Sequence, residues 1–551
     1  MTRTLPAGSS VTSPVALDIE VRGEAMVLWT MRGGRFEATY PPLAYMPVPR
    51  SITPGLPVPP SVGGAHRIEF GSVGGRSSDG DVPLFLLTDL DGTNGLWFAV
   101  GHSGRWRGSL TKHAGAPVQR LTLEAPTAPL VAGDAINLPR VVVGAFRGDG
   151  WAAIKRFITL QCPRRIQPMV AYNTWFNIEV GIDESSLLAA IGVAADVGIE
   201  AVVIDAGWYD EAGADFGGPG LGTWVVDHVR FPRGLEPVAQ AAHANGLAIG
   251  LWFEPERAHR DSSVARLFPD AFRPVAGTSV GLVDFGSAEV RAWTADTIHR
   301  AITSIGLDWL KWDFNVHDAA SLWGQDGRAE LAHTRGVHAV LDRLLELHPN
   351  LVIESCASGG NRIDIEMLAR SHVTNLSDEV QSPEIVRRMV GNVCRWLPSQ
   401  YRWGALGPHG RWAPDGSVSV LGTGAHGYPP AWLASGAVGS MVIHEAITSW
   451  GEATKDQVRG QLERVKPLRG YLDMPFRAFL DAGRVPLGGW ECWEFADEAP
   501  GPALLIAFRQ HAPNAEHSVT GARQWTVVAE HDGVAVALDG VPGGADAAAP
   551  P

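Results

Sequence analysis

Two aspartates occupy positions from which a carboxyl group can act on a bound molecule. They are Asp313, in Asp308-Trp-Leu-Lys-Trp-Asp-Phe-Asn315, and Asp378, in Asn375-Leu-Ser-Asp-Glu379. Each closes a strand-like segment. Because side chains alternate along a strand, Lys311 and Asp313 share a face. A neighbouring ammonium favours the ionised carboxylate and keeps it available as a nucleophile. A second carboxyl with a raised pKa, on another strand end, can protonate a departing oxygen and then activate water. Such a pair meets the requirement of acetal cleavage, which needs neither metal nor organic cofactor. Taken alone, Lys311 and Asp313 also fit a structural ion pair, and Asp378 a loop cap.

Other chemistries find less support. The segment Glu354-Ser-Cys-Ala-Ser-Gly-Gly-Asn-Arg-Ile-Asp364 lets backbone come close to a ligand through its glycines. It lacks the lysine and Ser/Thr of a P-loop and the GxGxxG order, which argues against a nucleotide and leaves a sugar hydroxyl as the better guest. The 18 histidines form no HExxH pattern, so no metal is expected. Cys162, Cys356, Cys394 and Cys492 show no CxxC spacing and read as reduced thiols. With 45 basic against 59 acidic residues, the formal charge of -14 disfavours nucleic acid and anionic membranes as partners. A neutral small molecule suits this balance better.

Residues of this kind must be held by a scaffold. Between Met169 and about Trp450, apolar strands alternate with Ala- and Leu-rich helical stretches, the pattern of parallel βα units. The expected strands are Met169 to Trp175, Ala201 to Trp208, Leu247 to Phe253, Asp308 to Asn315, Leu351 to Ala357 and Ser371 to Asp378, with weaker ones at Tyr401 to Leu406 and Ser440 to Ala446. Eight of them would close a (β/α)8 TIM-like barrel, whose catalytic groups lie at strand C-terminal ends. Polar residues fall there: Asn173, Asp205, Glu254, Glu256, Lys311, Asp313, Cys356 and Asp378. Ser287 to Ser304 reads as an outer helix, with an N-cap serine and Val290, Trp293, Ile298 and Ile302 at helical spacing.

Residues 1–160 read as an all-β sandwich with turn clusters at Pro47 to Pro60 and Gly71 to Gly80. Residues 161–465 would be the catalytic barrel and 466–540 a small C-terminal β-domain. The Gly/Ala/Pro tail, 541–551, reads as disordered. No secretory h-region opens the chain and no window reaches 18 apolar residues, so a cytoplasmic protein is expected.

Lys311-Trp-Asp-Phe-Asn315, the 354–364 segment, Ser377-Asp378 and Leu251-Trp-Phe-Glu-Pro-Glu256 together resemble the motif series of glycoside hydrolase family 36, best known for α-galactosidases. Asn173-Thr-Trp175, Gly222-Thr-Trp224 and Phe231-Pro-Arg-Gly-Leu235 extend the likeness in the same order. The resemblance implies an N-terminal β-supersandwich, a (β/α)8 barrel and a C-terminal β-domain. It also implies retention of anomeric configuration, with Asp313 as nucleophile and Asp378 as acid/base. Sugar contacts would come from Asp205, Lys311, Asn315, Cys356 and Gly359, and aromatic contacts from Trp175, Trp208, Trp224 and Trp252. Homo-oligomers joined through the β-domains are a further implication.

Two positions depart from the α-galactosidase pattern. Asp205-Ala206-Gly207-Trp208 stands where an Asp-Asp pair usually precedes Gly-Trp, and Ala276 to Asp284 lacks an arginine usually found there. Losing a charged hydrogen bond to a hydroxyl costs on the order of 1.5–3 kcal/mol, enough to change sugar preference. Tyr209, His228, Arg257 and His317 are candidates to compensate. The leading expectation is therefore an α-galactosidase acting on small oligosaccharides. A hydrolase or transglycosylase for another α-linked sugar, and a catalytically silent carbohydrate-binding protein, are the alternatives.

Overall fold

A computed structural model describes residues 2–4, 16–22, 26–34, 44–51, 65–113, 118–124, 135–137, 139–214, 216–324, 327–380, 383–407, 410–412, 418–420, 436, 438–481, 490–497, 502–509, 526–531 and 534–539. Eight short parallel strands close into a barrel at its centre: β1 (Val170–Asn173), β2 (Ala201–Ile204), β3 (Ala248–Phe253), β4 (Trp309–Trp312), β5 (Val352–Ser355), β6 (Val373–Asn375), β7 (Arg402–Leu406) and β8 (Ser440–Ile443). Closure is made by β8 pairing with β1, Val442 opposite Ala171. All eight expected strands are present; six are cut short at the C-terminal end, where the closing residues belong to the loop, while β3 and β7 lose only their first residue.

Alternation within these strands separates two environments. Ala171, Ala201, Val203, Trp309, Val352, Val373, Trp403 and Val442 form one buried cluster, while Val202, Ile204, Ile249, Leu251, Leu310 and Ile353 join the larger core under the helices. The first set fills the barrel interior, as layers of side chains do in this architecture. Gly250 is part of that filling. A Cβ there would stand 2.9 Å from the Cβ of Trp309, so the small residue on β3 makes room for the indole on β4.

The outer helix Ala288–Ala301 begins as its sequence suggests. Ser287 Oγ accepts a hydrogen bond from Val290 N, Glu289 lies in the positive first turn, and Val290, Thr294 and Ile298 face inward four residues apart. It continues as a π-helical turn, Ile302–Gly306, before β4.

Before the barrel, a five-stranded and a four-stranded antiparallel sheet share one core. Phe85 and Phe98 of the first sheet stack 4.9 Å apart and meet Phe70, Leu110 and Leu121 of the second. This is the expected sandwich, with one correction. The Pro47 to Pro60 cluster is not all turn: Val48–Ser51 pairs with Val27–Thr30. It is the outermost strand of its sheet, where Pro49 can lack a ladder donor. A three-stranded sheet, Arg257–His259, Phe272–Pro274 and Val280–Val283, is inserted after β3. After the barrel, Phe476–Asp481, Trp490–Ala496, Ala503–Arg509, Thr526–His531 and Val534–Asp539 make a five-stranded sheet. The tail 540–551 lies outside the described residues. Among the described residues no helix is long and apolar enough to cross a membrane.

Candidate active site

Following the inward parity one step beyond the apolar interior leads to a polar layer: Asn173, Asp205, Trp252, Lys311, Glu354 and Asn375, each two residues past an inward position of its strand. Lys311 Nζ lies 2.6 Å from Asp205 Oδ2, which also accepts from Asn173 Nδ2 at 2.8 Å. Asp205 Oδ1 accepts from Ala206 N at 2.9 Å. Burial alone would drive the ammonium towards neutrality. Asp205 first, then Cys356, Glu354 and Asp313, reverse that and hold Lys311 well above its ordinary pKa.

Asp313 sits directly after β4, 7% exposed. Its Oδ2 accepts from Trp252 Nε1 at 3.0 Å and Asn315 Nδ2 at 2.8 Å; its Oδ1 accepts from Phe314 N at 2.8 Å and Ser358 N at 3.3 Å. Burial is the largest influence and opposes ionisation. The Lys311 charge and hydrogen bonds from Trp252, Asn315 and Cys356 outweigh it, so the carboxyl titrates below its ordinary value. Asp313 is thus ionised and fixed in orientation.

Asp378 follows β6 and is the more open of the two, with Asn375 Nδ2 3.4 Å from its Oδ1. Burial of the carboxyl, then the negative charge of Asp313, push it up against the pull of Lys311 to about 7. The barrel mouth therefore sets an ionised carboxylate, Asp313, beside a carboxyl, Asp378, that keeps its proton up to about pH 7.

The 354–364 segment joins them. Cys356 is buried between Asp313 and Asn375. Ser358 adopts a left-handed φ of 47°, which turns its N–H to Asp313 while its Oγ donates to Asn315 Oδ1 at 2.8 Å. At Gly359, φ is 81° and a Cβ would stand 2.7 Å from Asp378 N, so only glycine lets the two loops approach.

The aromatic candidates divide by role. Trp252, 1% exposed, spends its indole N–H on Asp313, and Trp208, also 1% exposed, donates to the Trp252 carbonyl at 2.9 Å. Trp208 stacks on Trp224, ring centroids 6.0 Å apart. Trp175 is half-buried and meets Phe216 edge-on at 4.8 Å, and Phe216 meets Trp252. Of the suggested compensating residues, His228 and His317 are exposed and Tyr209 is buried with its hydroxyl donating to Phe216 O. Arg257 lies closest to the site, over the Phe216 ring at 4.7 Å and 2.6 Å from Glu254.

Five neighbours of the site were given no role from sequence, although Glu254 and Glu256 were noted as strand-end polar residues. Glu254, fully buried, accepts from Arg257 and from Asn315 N. Its carboxyl is pushed up chiefly by burial, against Arg257, with Asp313 adding to the rise. Glu256 is held at about 2: burial opposes, but Arg362, His333 and Trp312 prevail. Glu354 is raised to about 7 by burial, against Lys311. His444, the first residue past β8, packs edge-on against Phe176 and is kept neutral by burial and Lys311. Arg76 arrives from the N-terminal sandwich, its Nη1 donating to Ala357 O at 3.3 Å and Ser358 Oγ at 3.1 Å. Glu354 lay within an expected strand and its motif and His444 within the weak expected strand Ser440 to Ala446, so their positions could have pointed to them; Arg76 gave no local signal.

A barrel carrying two unlike carboxyl groups at its C-terminal mouth is a glycosidase type of site. The melibiase family pattern matches residues 153–469, more than half of the chain, which therefore belongs to that family, the α-galactosidase-like proteins of glycoside hydrolase family 36. Among its relatives are α-galactosidase AgaA of Geobacillus stearothermophilus, 27% identical over 354 residues (62% of this chain, 46% of the relative), and an Escherichia coli α-galactosidase, 34% identical over 216 residues (38% and 30%). The chain thus aligns with less than half the length of these curated relatives. In fold it resembles the Lactobacillus brevis α-galactosidase, with a TM-score of 0.73 at 21% identity over 94% of this chain and 71% of that one. Geobacillus AgaA bearing 1-deoxygalactonojirimycin gives a TM-score of 0.73 at 21% identity, over 94% and 74%.

Proposed function

We propose that this protein is a retaining α-glycoside hydrolase, an α-galactosidase acting on small oligosaccharides. The observation that carries the reading is the opposite displacement of two neighbouring carboxyl groups: Asp313 below its ordinary pKa and Asp378 at about 7. Asp313 attacks the anomeric carbon as Asp378 gives its proton to the departing glycosidic oxygen. The bond to the aglycone breaks and a glycosyl ester on Asp313 forms. Asp378, now a carboxylate, takes a proton from water; the resulting oxygen displaces Asp313 and frees the sugar with its configuration retained. Lys311, Asn315 and the Ser358 N–H hold the nucleophile's charge in place through both steps.

Relatives support the sugar. Variants of Geobacillus AgaA are described in complex with stachyose and with raffinose. A second reading, another α-linked sugar, is favoured by Ala206, a buried methyl where the family pattern has a carboxylate. A panel of nitrophenyl glycosides separates the two. Galactose should give the highest kcat/KM; a faster pentoside or glucoside overturns the sugar and leaves the mechanism standing. Asp313→Ala and Asp378→Ala should each lose several orders of magnitude on an aryl α-galactoside. Wild-type turnover in Asp313→Ala refutes the mechanism, and sugar binding without turnover anywhere on the panel makes the protein a binder.

A further inference from the structure

The turn cluster Gly71 to Gly80 does more than join two strands of the sandwich, Ala65–Gly71 and Leu84–Thr88. Asp79 winds it: its Oδ1 accepts from Val73 N at 2.7 Å, and its Oδ2 accepts from Gly74 N at 2.7 Å and from Arg76 N at 3.1 Å. The wound loop docks on the 354–364 segment at the barrel mouth. Ser78 Oγ donates to Gly360 O at 2.7 Å and accepts from Ile363 N at 2.7 Å, and Ser77 Oγ donates to Asp364 Oδ2 at 2.7 Å. Arg76, 1% exposed, is thereby held against Ala357 and Ser358, the residue whose amide reaches Asp313.

A guanidinium carries donors and no acceptor, which sets the direction of the bonds beyond it. Ser358 Oγ accepts from Arg76 Nη1, 3.1 Å away, and gives its own proton to Asn315 Oδ1 at 2.8 Å. With its oxygen committed, the Asn315 amide turns its NH2 group to Asp313 Oδ2 at 2.8 Å. The reverse arrangement would put two donors on Ser358 Oγ and turn the amide oxygen of Asn315 towards a carboxylate, an unfavourable contact. Arg76 also acts through space. Asp378 is lifted to about 7 by burial first and then by the charges of Asp313 and Asp205, while Lys311 and Arg76 draw it back. One cation from outside the barrel therefore bears on both carboxyl groups.

We propose that Arg76 is a positioning residue of the reaction: through Ser358 it orients the Asn315 amide on Asp313, and its charge acts on Asp378. This role rests on the double-displacement reading of the site and adds to it a residue of the N-terminal sandwich that reaches Asp313 through two other side chains. In the free enzyme the charge of Asp313 itself favours a donor on Asn315. Once Asp313 carries the glycosyl ester that pull weakens, and Ser358, held by Arg76, keeps the amide in place for the second displacement.

The test compares Arg76→Met, Arg76→Lys, Ser358→Ala and the double variant Arg76→Met, Ser358→Ala on the fastest nitrophenyl glycoside of the panel, with rates taken per folded enzyme. Arg76→Met and Ser358→Ala should each lower kcat by on the order of tenfold to a hundredfold with little change in KM, the effect of a misplaced group at the reacting centre. The double variant should be about as slow as the slower single one, because both substitutions break one chain of bonds. Arg76→Lys should regain part of the rate. Wild-type kcat in folded Arg76→Met, or losses that multiply in the double variant, overturns the proposal, since a residue that only stabilises the fold would lower the melting temperature and leave kcat alone. If Arg76→Met does not fold, Ser358→Ala decides in its place, and wild-type kcat there overturns the relay. The infrared carbonyl band of protonated Asp378, assigned by its loss in Asp378→Asn, is a readout that needs no turnover. Its midpoint should move to higher pH in Arg76→Met and stay near the wild type in Arg76→Lys. Absence of turnover across the whole panel strikes the hydrolase reading instead, and the midpoint still decides the role of Arg76: unmoved in Arg76→Met, it refutes that role.

Discussion

Replacing Asp313 by asparagine should lower the pKa of Asp378 by about two units. The substitution keeps the shape of the side chain and removes only its charge, which is the second influence, after burial, holding Asp378 at about 7. Retaining glycosidases space such carboxyls ~5.5 Å apart. At that distance, with an effective dielectric constant of about 20, two unit charges repel by about 3 kcal/mol, or roughly two pKa units. Asp378 should then titrate near pH 5 in Asp313→Asn. The carbonyl stretch of a protonated carboxylic acid in the infrared reports this directly, with Asp378→Asn as the blank that assigns the band. As a carboxylic acid loses its proton when pH rises through its pKa, the band should survive to about pH 7 in the wild type and fade near pH 5 in the variant. A midpoint within about half a unit of the wild type would mean that the two groups do not share one electrostatic site, and the double-displacement reading would fall with it.

Three further outcomes are expected. Trp252→Phe removes the indole N–H from Asp313 Oδ2, a charge-assisted bond of about 1.5–3 kcal/mol, so the acidic limb of the kcat/KM profile should move up by about one to two pH units; an unmoved limb contradicts the assigned contact. Lys311→Met leaves Asp205 and Asp313 buried without their cation and should cost about 3–5 kcal/mol in urea unfolding. Asp378→Asn should be more stable than the wild type at pH 8, by up to a few kcal/mol. The folded pKa of about 7 lies above an unfolded value of about 3.9, so the wild type loses stability as pH rises between the two, and the difference should vanish below about pH 4.

Much of the barrel was legible because most of its strands are short, mainly apolar runs with polar residues at or just past their ends, a pattern that parallel strands buried on both faces produce. The strand ends also exposed Lys311 and Asp313, since inward parity carries over from the apolar interior to the mouth, whereas Asp378, three residues past its strand and off that parity, stood out only as a polar residue after a strand. Val48–Ser51 was hidden by its prolines, which an outermost strand tolerates and a local reading takes for turn. The hydrogen bonds of Trp208 and Trp252 were hidden differently: the type and spacing of a tryptophan do not say that one indole N–H goes to the Trp252 carbonyl and the other to Asp313. Glu256, His333 and Arg362 meet from three distant segments, and Arg76 reaches Ser358 across 282 positions. No periodicity encodes contacts of that range.

That last reach ties the N-terminal sandwich to the barrel mouth of this protein. The loop that presents an amide to Asp313 is anchored from outside the barrel by Arg76, to Ser358 and Ala357, and the loop that carries Asp378 by Tyr45, whose hydroxyl donates to Leu376 O at 2.5 Å. The eight-stranded core is accordingly not a portable catalytic cassette. Cut at Gly150 and transplanted, it would keep both aspartates while their two supporting loops lost their buttress, so inheritance and redesign must carry the sandwich and barrel as one piece.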